Sequence, residues 1–115
     1  MTTVIGLRRP RPGDPVVEVV LGAGERVVVH DRRLSEHGLA VGAELDAEGQ
    51  AALERAGAAD AAERRALRLI ARRARSRAEL ARRLGEWGLP AEDATEVLDR
   101  LAAMGVIDDR ALASA

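Results

Sequence analysis

The sequence predicts an α+β fold: a small N-terminal β-hairpin or sheet unit over residues 1–57, then a mostly helical unit of three short helices over residues 58–115. Two observations support this prediction. Valine-rich runs at residues 16–21 and 26–30 flank a short connection that contains two glycines, and this pattern is typical of a β-hairpin. From residue 66 onward, apolar residues recur at helical spacing between capping signals.

The N-terminal elements follow from local signals. Residues 2–7 are β-prone, whereas residues 8–15 are expected to form a loop because they contain three prolines and a glycine. A lone hairpin is not stable in water, so we expect the hairpin to pair with residues 2–7 or to pack on a helix. Residues 31–37 are expected to form one or two helical turns that end at Gly38, and residues 39–45 to form a connector.

A capped helix is predicted after this connector. Asp46 is placed to cap a helix over about residues 47–56, with Gly57 where a glycine would end it. Residues 58–62 are rich in alanine. This composition leaves two possibilities open, a short break or a continuation into the next helix.

The first two helices of the helical unit are predicted from apolar stripes and caps. In the first helix, the residues spaced for a buried stripe are Leu67, Ile70, Ala71 and Ala74. Ser76 and Glu79 then form a capping box, in which the serine hydroxyl accepts from the Glu79 N–H and the glutamate reaches back. The apolar stripe of the second helix comprises Leu80, Leu84 and Trp87. Gly88 is placed to end this helix.

The third helix is bounded by Pro90, which suits a first turn, and by Gly105, which suits a C-cap. Asp93 complements the positive end of the helix dipole. Its inner face is predicted to comprise Ala94, Val97, Leu98, Leu101 and Met104. Asp108 or Asp109 suits the N-cap of a fourth helix.

Charge is distributed unevenly, although the formal net charge is only −1 and all 18 basic residues are arginine. Residues 1–61 carry seven arginines against ten acidic residues (−3), residues 62–85 nine against two (+7), and residues 86–115 two against seven (−5). A basic surface attracts phosphates or an acidic protein groove, and its binding weakens with salt. The candidate binding residues are therefore the nine arginines of the basic block: Arg64, Arg65, Arg68, Arg72, Arg73, Arg75, Arg77, Arg82 and Arg83. The first four of these and Arg75 are predicted to lie on or near one face of the first helix.

Two other interpretations of these arginines stay open. They could form the solvated side of an amphipathic helix and pair with acidic residues of the third helix, namely Glu92, Asp93, Glu96 and Asp99. Alternatively, a helix-turn-helix would present the arginines of the second helix to DNA. The chain has no asparagine and only one glutamine, which disfavours specific adenine readout. Its single aromatic residue, Trp87, also disfavours base stacking and is expected in the core.

Several function classes are disfavoured by composition. The absence of cysteine excludes disulfides and thiolate metal sites, and the two histidines, His30 and His37, lack a third ligand at matching spacing. No serine–histidine–acid arrangement is evident. We therefore predict no catalytic residues, no metal and no cofactor. No signal peptide or apolar run of about 20 residues is present, so a cytoplasmic location is expected.

The helical segment also resembles a known family. The residues that carry the resemblance are Ala66, Leu67, Leu69, Ile70, Arg73, Arg75, Ser76, Glu79, Leu80, Leu84, Gly88, Val97, Leu98, Leu101, Gly105, Ile107, Asp108 and Asp109. In order and spacing they resemble the first helical repeat of the RecX family, bacterial regulators of the RecA recombinase. The sequence departs from the family pattern at Ala74, where a proline is common, and at Trp87, where a basic residue is usual.

The resemblance implies a regulatory function in DNA repair, DNA recombination and the SOS response. RecX-family proteins lodge in the groove of the RecA–DNA filament, bridge neighbouring subunits and suppress ATPase activity and strand exchange. The implied partners are the RecA filament and single- or double-stranded DNA, without a membrane or a small-molecule substrate. Of the motif positions, Ser76 and Glu79 are expected to be architectural, and Arg73 and Arg75 to be contacts. The alternatives are a nucleic-acid-binding helical module unrelated to RecA, and an adaptor domain for an acidic partner.

Overall fold

The structure is a computed structural model, and it describes residues 1–108. Its elements confirm the predicted α+β class. In chain order they are β1 (Thr2–Arg8), β2 (Val16–Leu21), β3 (Arg26–His30), α1 (Arg32–Glu36), β4 (Glu44–Leu45), α2 (Ala47–Arg72), α3 (Arg77–Glu86) and α4 (Ala91–Ala103). The chain divides into two compact units, Met1–Ala58 and a second that begins at Ala59. The expected cap at Asp109 and the fourth helix lie outside the described residues.

The N-terminal unit contains a four-stranded antiparallel sheet in the order β3-β2-β1-β4. The predicted hairpin is confirmed, with Val17 opposite Val29, and β1 pairs with β2 as expected. Gly24 has a φ of +91°, a left-handed conformation that glycine adopts without steric cost. The core of this unit comprises Val4, Val19, Leu21, Val29, Leu39, Leu45 and Leu53.

The expected connector at residues 39–45 contains a short strand, β4. Thr2 pairs with Leu45 and Thr3 with Glu44, so β4 covers one end of β1. Two residues carry too little local pattern to predict a strand. Their conformation depends on β1, which is distant in the sequence.

Helix α2 begins as predicted, because the Asp46 carboxylate accepts from the Gly49 N–H at 2.7 Å. The predicted end at Gly57 is wrong, since the helix runs without a break from Ala47 to Arg72. Gly57 has a packing role instead. A Cβ at this position would lie 2.8 Å from Val27 Cγ1 and 3.2 Å from the Val28 carbonyl oxygen, so the absence of a side chain lets α2 approach β3 closely.

The helical unit packs around a second core, which we call the helical core: Ala59, Ala62, Ala66, Leu80, Leu84, Val97, Leu98 and Leu101. The buried stripe of the first helix lies nearer the N-terminus than the sequence predicts. Leu67 and Ile70 are partly buried against the core, but Ala71 and Ala74 are exposed. The reason is that α2 ends at Arg72, and its buried side begins earlier, with small alanines that allow close packing.

Both later helices end at the predicted glycines. Gly88 and Gly105 have φ values of +83° and +75°. In each case the residue after the glycine donates back into the helix, Leu89 to the Leu84 carbonyl at 3.1 Å and Val106 to the Leu101 carbonyl at 3.3 Å. This is the Schellman arrangement.

The prediction that Met104 lies on the inner face of α4 is wrong, because this residue is 46% exposed. It is the C-cap residue, where the chain leaves the helix. Val106 and Ile107 pack against the helical core beyond the cap. Within residues 1–108, no helix has both the length and the apolar character required to cross a bilayer.

Candidate functional site

Four of the predicted arginines share one side of α2. Successive helical residues are rotated by about 100°, so Arg64, Arg65, Arg68 and Arg72 fall within an arc of about 100°. Arg64 is half-buried and the other three are exposed. Ala59, Ala62 and Ala66, on the opposite side of the helix, are buried in the helical core. We call the four residues the arginine face.

The arginine face is not neutralised within the part of the chain that the structure describes. There, none of its four guanidinium groups forms an ion pair with a carboxylate. The alternative in which the arginines pair with α4 applies to Arg77 instead, which donates to Asp99 at 2.7 Å. A second pair joins Arg100 of α4 to the buried Glu63 at 2.7 Å. The positive charge of the face is therefore available to a partner.

Arg65 differs from its neighbours because it lies over an aromatic ring. Its guanidinium carbon is 4.3 Å from the centroid of Trp87, within the range of a cation–π contact. Trp87 was expected in the core. It is partly buried against the helical core, and one side of its ring is covered by Arg65.

Arg73 and Arg75 are placed differently from the arginine face. Both donate to the Glu79 carboxylate, Arg73 at 2.7 Å and Arg75 at 2.9 Å. Arg75 is only 7% exposed, and the Arg75 carbonyl accepts from the Asp108 N–H at 2.9 Å. We call Arg73, Arg75, Ser76 and Glu79 the junction cluster. Burial of Arg75 makes it a structural residue of the α2–α3 turn, contrary to its expected role as a contact.

Of the two hydrogen bonds expected for the capping box, the one accepted by Ser76 is present. Ser76 Oγ accepts from the Glu79 N–H at 3.1 Å and caps α3. Within residues 1–108, the Glu79 carboxylate accepts from arginines rather than from the Ser76 N–H. The hydrogen bond from Arg75 is the main cause that lowers the pKa of Glu79 from 4.5; desolvation opposes it and Arg73 lowers the pKa further. Arg75 and Glu79 are four residues apart, but Arg75 lies before the N-cap of α3, so the rule for i,i+4 pairs on a helix does not predict this contact.

The remaining candidates lie on α3. Arg82 and Arg83 are 3.9 and 3.8 Å from Glu86, at the outer limit of an ion pair. Such exposed pairs contribute little energy, so both arginines can reach a partner. Of the nine predicted residues, the structure brings four onto the arginine face, two into the junction cluster and three onto α3.

The residues described show no metal centre. Within residues 1–108, no group of three or more histidine, cysteine, aspartate or glutamate side chains is positioned to hold a metal ion. His30 Nδ1 accepts from the Arg32 N–H at 3.1 Å, which gives this strand-end histidine a local structural role.

Comparison with known proteins identifies the helical segment. Residues 62–101 match the family described as RecX, first three-helix domain. Over 43 residues the chain is 60% identical to the regulatory protein RecX of Mycobacterium avium (strain 104) and 54% identical to that of Mycobacterium tuberculosis (strain ATCC 25618 / H37Rv). The corresponding protein of Mycobacterium ulcerans (strain Agy99) is 51% identical. These alignments cover 37% of this chain and 25% of each relative.

The fold agrees with a solved regulatory protein. A crystal structure of a regulatory protein RecX matches 98% of this chain with a TM-score of 0.76 and 24% sequence identity, and the chain spans 55% of that protein. The sheet unit followed by a three-helix unit thus shares the fold of that protein. The chain is therefore similar to RecX proteins, in sequence over its helical segment and in fold over nearly its whole length.

Proposed function

We propose that this chain binds the RecA–DNA filament through the arginine face and inhibits the ATPase and recombinase activities of RecA. The proposed role is regulatory, without catalysis by the chain itself, and belongs to cytoplasmic DNA repair and recombination. One observation supports the proposal most directly. The arginine face has four guanidinium groups without a carboxylate partner among residues 1–108.

The charge pattern supports an anionic partner. Exposed ion pairs stabilise a fold by only about 0–1 kcal/mol, so folding alone does not require four clustered arginines. Placed together, they raise the local positive potential and attract an anionic surface. Arginine also forms bidentate hydrogen bonds with phosphate and carboxylate groups. The nucleoprotein filament offers both kinds of anion.

The test is the DNA-dependent ATPase rate of RecA, titrated with this chain at low and moderate salt. The informative variant is Arg68→Glu/Arg72→Glu, which reverses two exposed charges of the arginine face. Arg75 is left unchanged because it is buried in the junction cluster. The matched control is Arg8→Glu/Arg11→Glu, which changes the net charge equally at exposed positions of the N-terminal unit. A full-length mycobacterial RecX serves as the positive control.

We expect inhibition by the unmodified chain that weakens as salt is raised. The arginine-face variant should need about tenfold more protein for the same inhibition, equivalent to a loss of about 1.4 kcal/mol, while the control variant keeps its effect. Equal inhibition by both variants would show that the arginine face is not the contact. No inhibition by the unmodified chain, where the positive control inhibits, would contradict the proposed function.

A second candidate function is a nucleic-acid-binding helical module that acts without RecA. The exposed Arg82 and the half-buried Arg83 favour it, since α3 is the second helix of a helix-turn-helix order. Here Arg82→Glu/Arg83→Glu should abolish salt-sensitive binding to duplex DNA, and RecA should be unaffected by the chain. An adaptor domain would instead show neither DNA binding nor an effect on RecA.

A further inference from the structure

Trp87 and Arg65 form a pair that the proposed function does not require. Trp87 is the only aromatic residue of the chain, and it is anchored by packing against the helical core. The exposed guanidinium of Arg65 lies 4.3 Å from the centre of its ring. The ring is therefore a fixed support under one member of the arginine face.

This support changes what Arg65 offers to a partner. A guanidinium over an aromatic ring uses its flat side for the contact, so its N–H donors remain available along the edge of the group. A free arginine must lose rotamer freedom when it binds. For Arg65 much of that ordering is already achieved by the ring, whereas Arg68 and Arg72 have no such support among the described residues.

The spacing of the arginines in the face favours one class of anionic ligand over another. Arg64, Arg68 and Arg72 are spaced four residues apart, a rise of about 6 Å per step along the helix. Such a regular row fits a polymer with evenly repeated charges, as in a nucleic-acid backbone, better than the irregular carboxylates of a protein surface. Phosphate also matches the two parallel N–H donors of a guanidinium.

We propose that Trp87 is a positioning residue for Arg65, holding its guanidinium ready to bind a backbone phosphate of DNA. This inference rests on the proposed function, because it assigns the DNA of the filament as the ligand of the arginine face. Trp87 itself does not contact the ligand. It acts by fixing the orientation of Arg65.

The test is a double-mutant cycle on binding to a fluorescently labelled single-stranded oligothymidine, measured by anisotropy at two salt concentrations. The variants are Trp87→Leu, Arg65→Gln and the two combined, with Arg11→Gln as the matched control for loss of one exposed charge. Trp87→Phe retains an aromatic ring and serves as the conservative variant. It also keeps the test open if the leucine variant does not fold, which circular dichroism would reveal.

We expect Trp87→Leu to weaken binding about threefold in the unmodified chain, the size of an exposed cation–π contact, and to have no effect once Arg65 is glutamine. Trp87→Phe should restore most of the affinity, and Arg11→Gln should leave it nearly unchanged. A purely structural role of Trp87 would weaken both backgrounds equally, and that result would overturn the inference. RecA inhibition without any binding of the oligonucleotide would also overturn it, yet leave the proposed function standing. If the chain neither binds DNA nor inhibits RecA, both fail.

Discussion

Gly57 offers a sharp test of the packing between α2 and β3. In an exposed helix interior, replacing glycine by alanine stabilises a protein by about 1 kcal/mol. At Gly57, however, the new methyl group would lie 2.8 Å from Val27 Cγ1 and 3.2 Å from the Val28 carbonyl oxygen. The valine methyl can shift, but the carbonyl belongs to the sheet backbone. Overpacking of this kind costs about 1–3 kcal/mol.

The expected net effect of Gly57→Ala is therefore a loss of about 1 kcal/mol in the free energy of unfolding. Gly85→Ala is the matched control, because a Cβ at this α3 position would meet no atom within 4 Å, and it should stabilise by about 1 kcal/mol. Urea denaturation followed by far-UV circular dichroism measures both. The two variants should differ by about 2 kcal/mol. Equal stabilisation by both would refute the close approach of α2 to β3.

Further predictions concern the junction cluster and the helical core. Arg75, and to a smaller extent Arg73, lower the pKa of Glu79 in the folded state from its ordinary value of 4.5. The ionised Glu79 therefore stabilises the fold fully above pH 4.5, and this stabilisation is lost as the pH falls through the lowered pKa. Acid titration of the folded fraction should show this loss in the unmodified chain and a flatter profile in Glu79→Gln; identical profiles would contradict it. Leu101→Ala, at a fully buried position, should cost about 2–5 kcal/mol in urea denaturation. Met104→Ala, at an exposed one, should change stability by no more than about 0.5 kcal/mol, and a large loss there would show that Met104 is packed.

The features predicted correctly from the sequence are those with local causes. Ser76 caps α3 by binding an N–H three residues away, and Gly88 ends it through its own backbone conformation. The β2–β3 hairpin likewise depends on a short connection. Each of these signals lies within a few residues of its effect, so a single sequence is sufficient to detect it.

The features that the sequence did not predict depend on distant residues. Gly57 alone in sequence suggests the end of a helix. In the structure it lies inside α2, where its lack of a side chain leaves room for Val27 and Val28. Strand β4 exists because β1 pairs with it. Likewise, Arg75 and Arg72 are alike in sequence, and only the fold buries one and exposes the other. The composition of the basic block was therefore informative about charge, but not about which arginines can reach a partner.

The bond between the Asp108 N–H and the Arg75 carbonyl has a consequence for how the helical unit can change in evolution. It brings the chain that leaves α4 back to the turn from which α3 departs. Helices α3 and α4 thus form an excursion of the chain whose first and last residues lie side by side. Both partners of the bond are backbone groups, so the bond does not use the side chain of either residue. The surface residues of α3 and α4 can therefore vary while this backbone bond keeps the two ends of the excursion together.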